Sequence, residues 1–409
     1  MKLSVFTFNK NKINLELLLA LFLFLPSFYY SIANLFISIT FIYMVVFALS
    51  VYVYISFLVI KPTKFLLFIT FFVFITIYSV SNNNNLFNYI VSTNSINDFF
   101  TSKLILFIFL YFPVFILNNY RPMNYKLFTK YMYFFSCILL PLNIIINYRR
   151  IISVELLDYM AIAYEIVFWL IFFVIGTVAR HKKINILLII PALVSVVIGS
   201  SRGALIVLLI FLLLTGVYLV FIEKKYLLKK ASIFIYFIIG SLVISSLLIL
   251  LLNNISNINQ FFSDLGISSR IFLSFQDSNF IFDSGRLEIF KEIISYLPDK
   301  IFGYGIFMDR LLITSNQYTH NVFLEILINY GLLIGFILIS IIFYFTFKAV
   351  RISYLLKNTT LIFLVIYSVI YIYIKFMISG SYLQSSEFFL AVGILLNISN
   401  TKLRREIND

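Results

Sequence analysis

Three residues near the ends of apolar stretches carry side chains suited to group transfer. They are Arg202 in IGSSRGALIV, Arg286 in DSGRLEIF and His320 in THNVFLEI. A guanidinium presents paired donors that match the oxygens of a phosphate or diphosphate. A histidine with an ordinary pKa near about 6.5 can accept a proton from a hydroxyl group at neutral pH. Two arginines for an anionic leaving group and one base for a hydroxyl nucleophile together indicate a transferase site.

Each of these residues also has a simpler role. Arg202 could extend to lipid headgroups, Arg286 could lie on a solvated helix face, and His320 could cap a helix or line a membrane interface. His320 stands out because the chain has two histidines in all, and the other, His181, lies among lysines. Taken together, the three residues favour one shared site.

The elements that must position these residues are membrane helices. The chain has 409 residues, of which 62% are hydrophobic and 12% charged, and its mean hydropathy is +1.03. Apolar segments of about 17 to 25 residues recur along it, each long enough to cross a hydrocarbon core about 30 Å thick. Lipid offers no hydrogen-bond partners to the backbone, so segments of this length must be helices. This composition excludes a soluble domain and predicts an all-α polytopic membrane protein.

We predict about twelve transmembrane helices and one large external loop from the hydropathy pattern. The predicted helices are 14–30, 35–60, 65–80, 103–119, 129–147, 160–179, 184–200, 203–222, 231–252, 319–347, 359–379 and 386–399. Residues 1–252 thus form an N-terminal bundle of nine helices. Residues 253–318 form the loop, and residues 319–409 form the last helices and a tail.

The stretch DSGRLEIFKEIISYLPDK within this loop predicts an amphipathic helix at the outer membrane–water boundary. Asp283 or Ser284 can cap its start, and Pro298 ends it. Its predicted apolar stripe consists of Leu287, Phe290, Ile293, Ile294 and Leu297.

The distribution of basic residues orients the chain. Most lysines and arginines fall in alternate connections, which places the N-terminus and the C-terminal tail in the cytoplasm. The loop and the three candidate residues then lie on the outer side of the membrane. The net charge of +14 follows from this topology and is not an argument for nucleic-acid binding.

Other polar residues are weaker candidates. Arg149 and Arg150 lie outside against the charge rule, where they could contact glycan, phosphate or anionic headgroups. Lys375 could line a cavity or extend to the interface. Glu325 lies five residues after His320, a spacing at which two side chains do not share a helix face closely. The sequence contains no metal-ligand spacing or nucleotide-binding loop, so we expect no metal and no cofactor.

Three ordered segments resemble the O-antigen polymerase and ligase superfamily: IGSSRGALIVLLIF, GRLEIFKEIISYLPDKIFGYGIF and THNVFLEILINYGLLIGF. The resemblance covers roughly residues 195–340. It implies a glycosyltransferase of the bacterial inner membrane that takes a glycan from undecaprenyl diphosphate, without a metal, and inverts the anomeric centre. It also implies that Arg202 and Arg286 hold the diphosphate and that His320 activates the acceptor hydroxyl.

Within this class, the first choice is a polymerase that joins the growing chain to the non-reducing end of a lipid-linked repeat unit. The nearest alternative is a ligase that moves the finished chain to lipid A–core. A flippase for lipid-linked sugars is an alternative of another class, although we find no internal duplication of the kind transporters show. The expected partners are the undecaprenyl-diphosphate-linked oligosaccharide, membrane lipids and a chain-length regulator.

Overall fold

A computed structural model describes residues 14–32, 39–63, 66, 70, 105–120, 122–152, 159–179, 186–198, 201–219, 286–299, 301–313 and 319–401. Helices and turns make up this part of the chain, with no strand in it, which confirms the predicted all-α class. Predicted helix 231–252 lies outside the described residues, and so does predicted helix 65–80 apart from residues 66 and 70. Asp283 and Ser284, the predicted helix caps, also lie outside them.

The helices of the described residues follow the apolar segments of the sequence. They are α1 (Leu15–Ile32), α2 (Ile39–Ile60), α3 (Phe112–Tyr120), α4 (Tyr125–Ile152), α5 (Tyr159–Ala179), α6 (Ile186–Ile198), α7 (Arg202–Val217), α8 (Arg286–Tyr296), α9 (Asp309–Leu312), α10 (Val322–Leu356), α11 (Thr359–Ile370) and α12 (Ser386–Ser399). A π-helical turn, Phe107–Tyr111, leads into α3. Another, Tyr371–Lys375, continues α11 into a last short turn, Phe376–Ile378.

Four described segments are long and apolar enough to cross a membrane. They are Tyr125–Asn147, Ala161–Ala179, Val322–Leu356 and Thr359–Ile378. Shorter apolar helices surround them, as expected for a multi-pass membrane protein. The total of about twelve spans and the external position of the loop stay predictions.

Helix α5 lies at the centre of the bundle because it is apolar on all sides. Trp169 is fully buried, and Phe168 and Phe172 beside it pack against Tyr367 and Tyr371 of the α11 segment. This aromatic layer joins α5 to the C-terminal helices.

Helix α10 departs from the straight span predicted for residues 319–347. At Gly331 the backbone has φ 78° and ψ 170°, which is not helical. The rings of Phe323 and Phe343 stack with their centroids 5.9 Å apart. Positions 323 and 343 would be about 30 Å apart in a continuous α-helix. The chain therefore folds back at Gly331, so that a short helix, residues 322–330, lies beside the long one that follows.

The fold at Gly331 depends on a second glycine from the large loop. Gly303 also has a positive φ, 81°, and a Cβ atom on it would lie 2.3 Å from the Gly331 nitrogen. The two backbones can approach this closely because neither residue has a side chain. Beside them the Tyr304 N–H donates to the Ile328 carbonyl and the Gly305 N–H to the Asn329 carbonyl, each at 2.9 Å.

The amphipathic helix predicted in the loop forms as α8, followed by a 3₁₀ turn at Leu297–Asp299. Its predicted apolar stripe was partly wrong. Ile289 and Ile293 form the buried face, which packs against Tyr304, Met308 and Ile328. By contrast, Leu287 and Ile294 are exposed on the other face. Because α8 packs on the short helix of α10, it buries only one face there. The membrane contact predicted for α8 is therefore expected from Leu287 and Ile294.

Candidate functional site

His320 lies at the entrance to the short helix of α10, residues 322–330. Asn321 caps that helix, since its side-chain oxygen accepts from the N–H groups of Phe323 at 3.0 Å and Leu324 at 3.2 Å. His320 itself has φ 55°, in the left-handed region that residues other than glycine seldom adopt. The position of the imidazole therefore depends on the Asn321 cap and on the contacts that hold Thr319, the residue before it.

Two arginines from the large loop flank His320. Burial, together with the charges of Arg286 and Arg310, lowers the pKa of His320 from its ordinary value to about 4. The imidazole is consequently neutral at physiological pH, the protonation state that a general base requires. Arg286 and His320, two of the three predicted site residues, are therefore close enough to interact electrostatically.

The two arginines differ in their surroundings. Arg286 begins α8 and is half-buried, and within the described residues it has no carboxylate partner. Arg310 is buried, interacts electrostatically with Asp309 and Glu325, and lies over the Phe307 ring. An arginine without a carboxylate partner can bind an incoming anion, whereas Arg310 is already engaged within the protein.

Asp309 connects Arg310 to the residue before His320. Its Oδ2 atom accepts from both the N–H of Thr319 at 3.2 Å and the hydroxyl of Thr319 at 2.9 Å. Burial raises the pKa of the Asp309 carboxyl, while Arg310 and the two Thr319 donors act in the opposite direction. The amide oxygen of Gln384, when oriented toward Arg310, accepts from its guanidinium at 3.0 Å.

Glu325 and Asn329 attach the short helix to the connection between α11 and α12. Glu325 is 1% exposed and accepts hydrogen bonds from the Ser381 hydroxyl and, at 3.2 Å, from the Tyr382 N–H. One turn later, the Asn329 amide donates to the Tyr382 hydroxyl at 3.2 Å. The sequence prediction for Glu325 relied on its helical spacing from His320, but His320 lies outside the helix.

Arg202, the third predicted residue, begins α7 as expected, after a Ser201 cap that accepts from the Ala204 N–H at 3.4 Å. Its side chain lies outside the described residues, so its convergence with Arg286 and His320 stays a prediction. Close packing explains why a glycine, Gly203, follows Arg202. A Cβ atom on Gly203 would lie 2.1 Å from the Tyr164 hydroxyl.

Beside this start of α7, a second polar group lies inside the bundle. The Lys375 ammonium is buried, forms an ion pair with Glu387, and lies 5.5 Å from the centre of the Tyr164 ring. The Lys375 side chain therefore lies inside the bundle and does not extend to the membrane interface. The Ser385 hydroxyl also donates to Glu387, at 3.0 Å.

Glu165 completes this second group. It accepts from the Ser27 hydroxyl at 2.9 Å and from the Trp169 indole at 3.0 Å. Glu387 and Lys375 both act on it electrostatically. Ionisable residues within membrane segments are typical of functional sites, and these carboxylates lie at the same end of the bundle as the start of α7.

The part of the chain that the structure describes contains no group of histidine, cysteine or carboxylate side chains able to hold a metal ion. Its polar groups near His320 are instead those that bind anions and accept protons. The side chains of Arg149 and Arg150, at the end of α4, lie outside the described residues.

Comparison with known families places these residues in one segment. Residues 186–340 match the family described as O-Antigen ligase, and the match spans Arg202, Arg286 and His320. The match confirms the resemblance to the O-antigen polymerase and ligase superfamily, whose members are membrane glycosyltransferases that use lipid-linked oligosaccharides. Comparison with curated proteins and with solved structures gave no match.

The low pKa of His320 gives a prediction that does not depend on activity. The chain contains two histidines, so a His181→Asn variant leaves a single imidazole to follow by NMR. We expect it to titrate near pH 4, with an upward shift when inorganic pyrophosphate offsets the charge of Arg286.

Arg286→Gln in the same background should raise the pKa of His320, because one of the two repelling charges is removed. Lys291→Gln, an exposed position on the same helix, is the matched control and should leave the titration unchanged. A titration near the ordinary histidine value in the parent protein would contradict the placement of the arginines beside the imidazole.

Proposed function

We propose that this protein is an O-antigen polymerase. It transfers the growing glycan from undecaprenyl diphosphate to the non-reducing end of a lipid-linked repeat unit. The observation that carries the proposal is the pairing of Arg286, a guanidinium with no carboxylate partner in the described residues, with the neutral imidazole of His320. Both residues lie in the O-antigen ligase-like domain.

The proposed step uses one base and two cations. The acceptor hydroxyl oxygen attacks the anomeric carbon while the bond from that carbon to the diphosphate oxygen breaks. His320 takes the hydroxyl proton, and the electron pair of the broken bond stays on the diphosphate. Arg202 and Arg286 offset the charge of this leaving group. Because the attack comes from the face opposite the leaving group, the anomeric configuration is inverted.

The polymerase and ligase activities use the same donor and differ in the acceptor. The description of the matched family names a ligase. We favour polymerase because the chain is rich in Phe, Tyr, Ile and Asn, with 49 Phe and 28 Tyr, a composition associated with O-antigen gene clusters of low GC content. The proposed location is the inner membrane, with the site open to the periplasm and a chain-length regulator as partner.

Glycan analysis of cells that lack the gene tests the proposal. We expect single repeat units on the lipid A–core, and expression of the wild-type protein should restore long chains. Long chains that accumulate on undecaprenyl diphosphate would identify a ligase instead. A polymer of normal length on lipid A–core would overturn both assignments, and repeat units retained on the cytoplasmic side would point to a flippase.

A further inference from the structure

We propose that Asp309 is a positioning residue for His320, acting through Thr319, with Arg310 as its counter-charge. The inference rests on the proposed function, since it concerns the base of the transfer step. It assigns a role in that step to a buried carboxylate in the large loop. It also distinguishes the roles of the two arginines near His320. Arg286 binds the substrate, whereas Arg310 interacts with groups of the protein itself.

The backbone at His320 requires support on both sides. Its φ of 55° is unfavourable for a residue with a Cβ atom and persists only where the neighbouring residues are held in place. On one side, Asn321 is fixed by its two cap hydrogen bonds to the following helix. On the other side, Thr319 is fully buried, and both of its donors reach Asp309.

A carboxylate is well suited to this position. One oxygen of Asp309 accepts two hydrogen bonds at once, and charge-assisted bonds of this kind are stronger than neutral ones. The side chain is fully buried, so its charge needs compensation within the protein. The charge of the neighbouring Arg310 opposes the effect of burial on Asp309. The same guanidinium interacts with Glu325, which holds the short helix on the Ser381–Tyr382 turn.

These contacts join the two segments on either side of His320. Asp309 holds Thr319 before it, Glu325 holds the helix after it, and Arg310 interacts electrostatically with both carboxylates. If Asp309 releases Thr319, the backbone at His320 can relax out of the left-handed region and the imidazole moves away from the acceptor hydroxyl. A displacement of about 1 Å can lower the rate about 10²-fold without changing how the donor is held.

The test uses purified full-length variants and lipid-linked repeat units extracted from cells that lack the gene. For Asp309→Ala we expect kcat to fall about 10- to 100-fold, with the KM for the donor within about twofold of wild type. Asp309→Asn keeps an oxygen acceptor for Thr319 and should fall less. Thr319→Ser keeps both donors and should be close to wild type, whereas Thr319→Val loses the hydroxyl bond and should lie between.

A double variant separates positioning from general stability. In a His320→Ala background, Asp309→Ala should cause no further loss, because the group it positions is already absent. A further loss of the same size as in the wild-type background would overturn the proposal, and so would a raised KM with unchanged kcat.

The controls also separate this inference from the proposed function. If His320→Ala keeps normal activity, the proposed base is wrong. If His320→Ala is inactive and Asp309→Ala keeps the wild-type kcat, the positioning role alone is wrong. Should Asp309→Ala not fold, as judged by its melting temperature in detergent, Asp309→Asn and Thr319→Val decide the question, since equal activity of both with wild type would contradict it.

Discussion

Replacement of His320 by alanine is expected to lower the rate of glycan transfer by about 10²–10⁴-fold, the usual contribution of a general base. Donor binding should be retained, because the proposal assigns the diphosphate to the arginines and not to His320. Folding should survive as well, since the imidazole is half-buried at the entrance to the short helix and not inside the aromatic layer around α5. The measurement is glycan chain length in cells lacking the native gene, with variant expression checked by immunoblot.

Asparagine at position 320 provides the matched control. It tolerates the left-handed backbone conformation, so it preserves the geometry of the cap while it removes the base. His320→Asn should therefore be as inactive as His320→Ala, whereas its melting temperature should stay close to that of the wild type. Polymer of near-normal length from either variant would leave His320 as an ordinary interfacial residue.

The sequence was sufficient to predict the bounds of several helices. Residues 160–179, 359–379 and 386–399 were predicted from apolar length, and the structure has Tyr159–Ala179, Thr359–Ile378 and Ser386–Ser399. Apolar length determines such segments because each must satisfy its own backbone in lipid. The order of the motifs also predicted a family resemblance over roughly residues 195–340, and the family match covers residues 186–340.

The residues that hold His320 in place could not be predicted from sequence. Asp309 and Arg310 occur in a loop rich in charges, and their burial depends on how that loop packs on α10. The sequence left two roles open for Lys375. Its partner, Glu387, lies in the first turn of a helix, where acidic residues are common for other reasons. Contacts of this kind, between single residues of distant segments, produce no periodic pattern in the sequence.

The fold at Gly331 was missed for a related reason. The residues around it are mostly apolar and contain no proline, so the pattern predicts one uninterrupted helix. The break depends on Gly303, which lies in a different segment and meets Gly331 only in the folded chain. A glycine inside an apolar helix was the single local signal.

Gly331→Ala is expected to abolish polymer formation, with a loss of at least about 10²-fold. The backbone at Gly331, with φ 78° and ψ 170°, lies in a region available essentially to glycine, and another residue there costs about 1–3 kcal/mol. A Cβ atom would also lie 2.0 Å from the Ile301 carbonyl oxygen. Alanine favours helix at this position, so the variant should straighten α10 and carry His320 away from Arg286.

Cross-linking can detect this rearrangement directly. In a Cys137→Ser background, a Phe323→Cys/Phe343→Cys pair should react with a short bifunctional thiol reagent, because the two wild-type rings stack at 5.9 Å. The same pair in Gly331→Ala should not react, since a continuous helix separates these positions by about 30 Å. A Phe323→Cys/Leu355→Cys pair, which should not react in either protein, controls for non-specific labelling.

Gly303→Ala distinguishes loss of the glycine contact from a change in helix propensity. It leaves the sequence of α10 intact, yet its Cβ atom would lie 2.3 Å from the Gly331 nitrogen, so it should lose both cross-link and activity. Gly216→Ala, within α7, is the control for a helical glycine and should keep both. If Gly331→Ala retains the 323–343 cross-link and normal polymer, the folded-back short helix does not position His320.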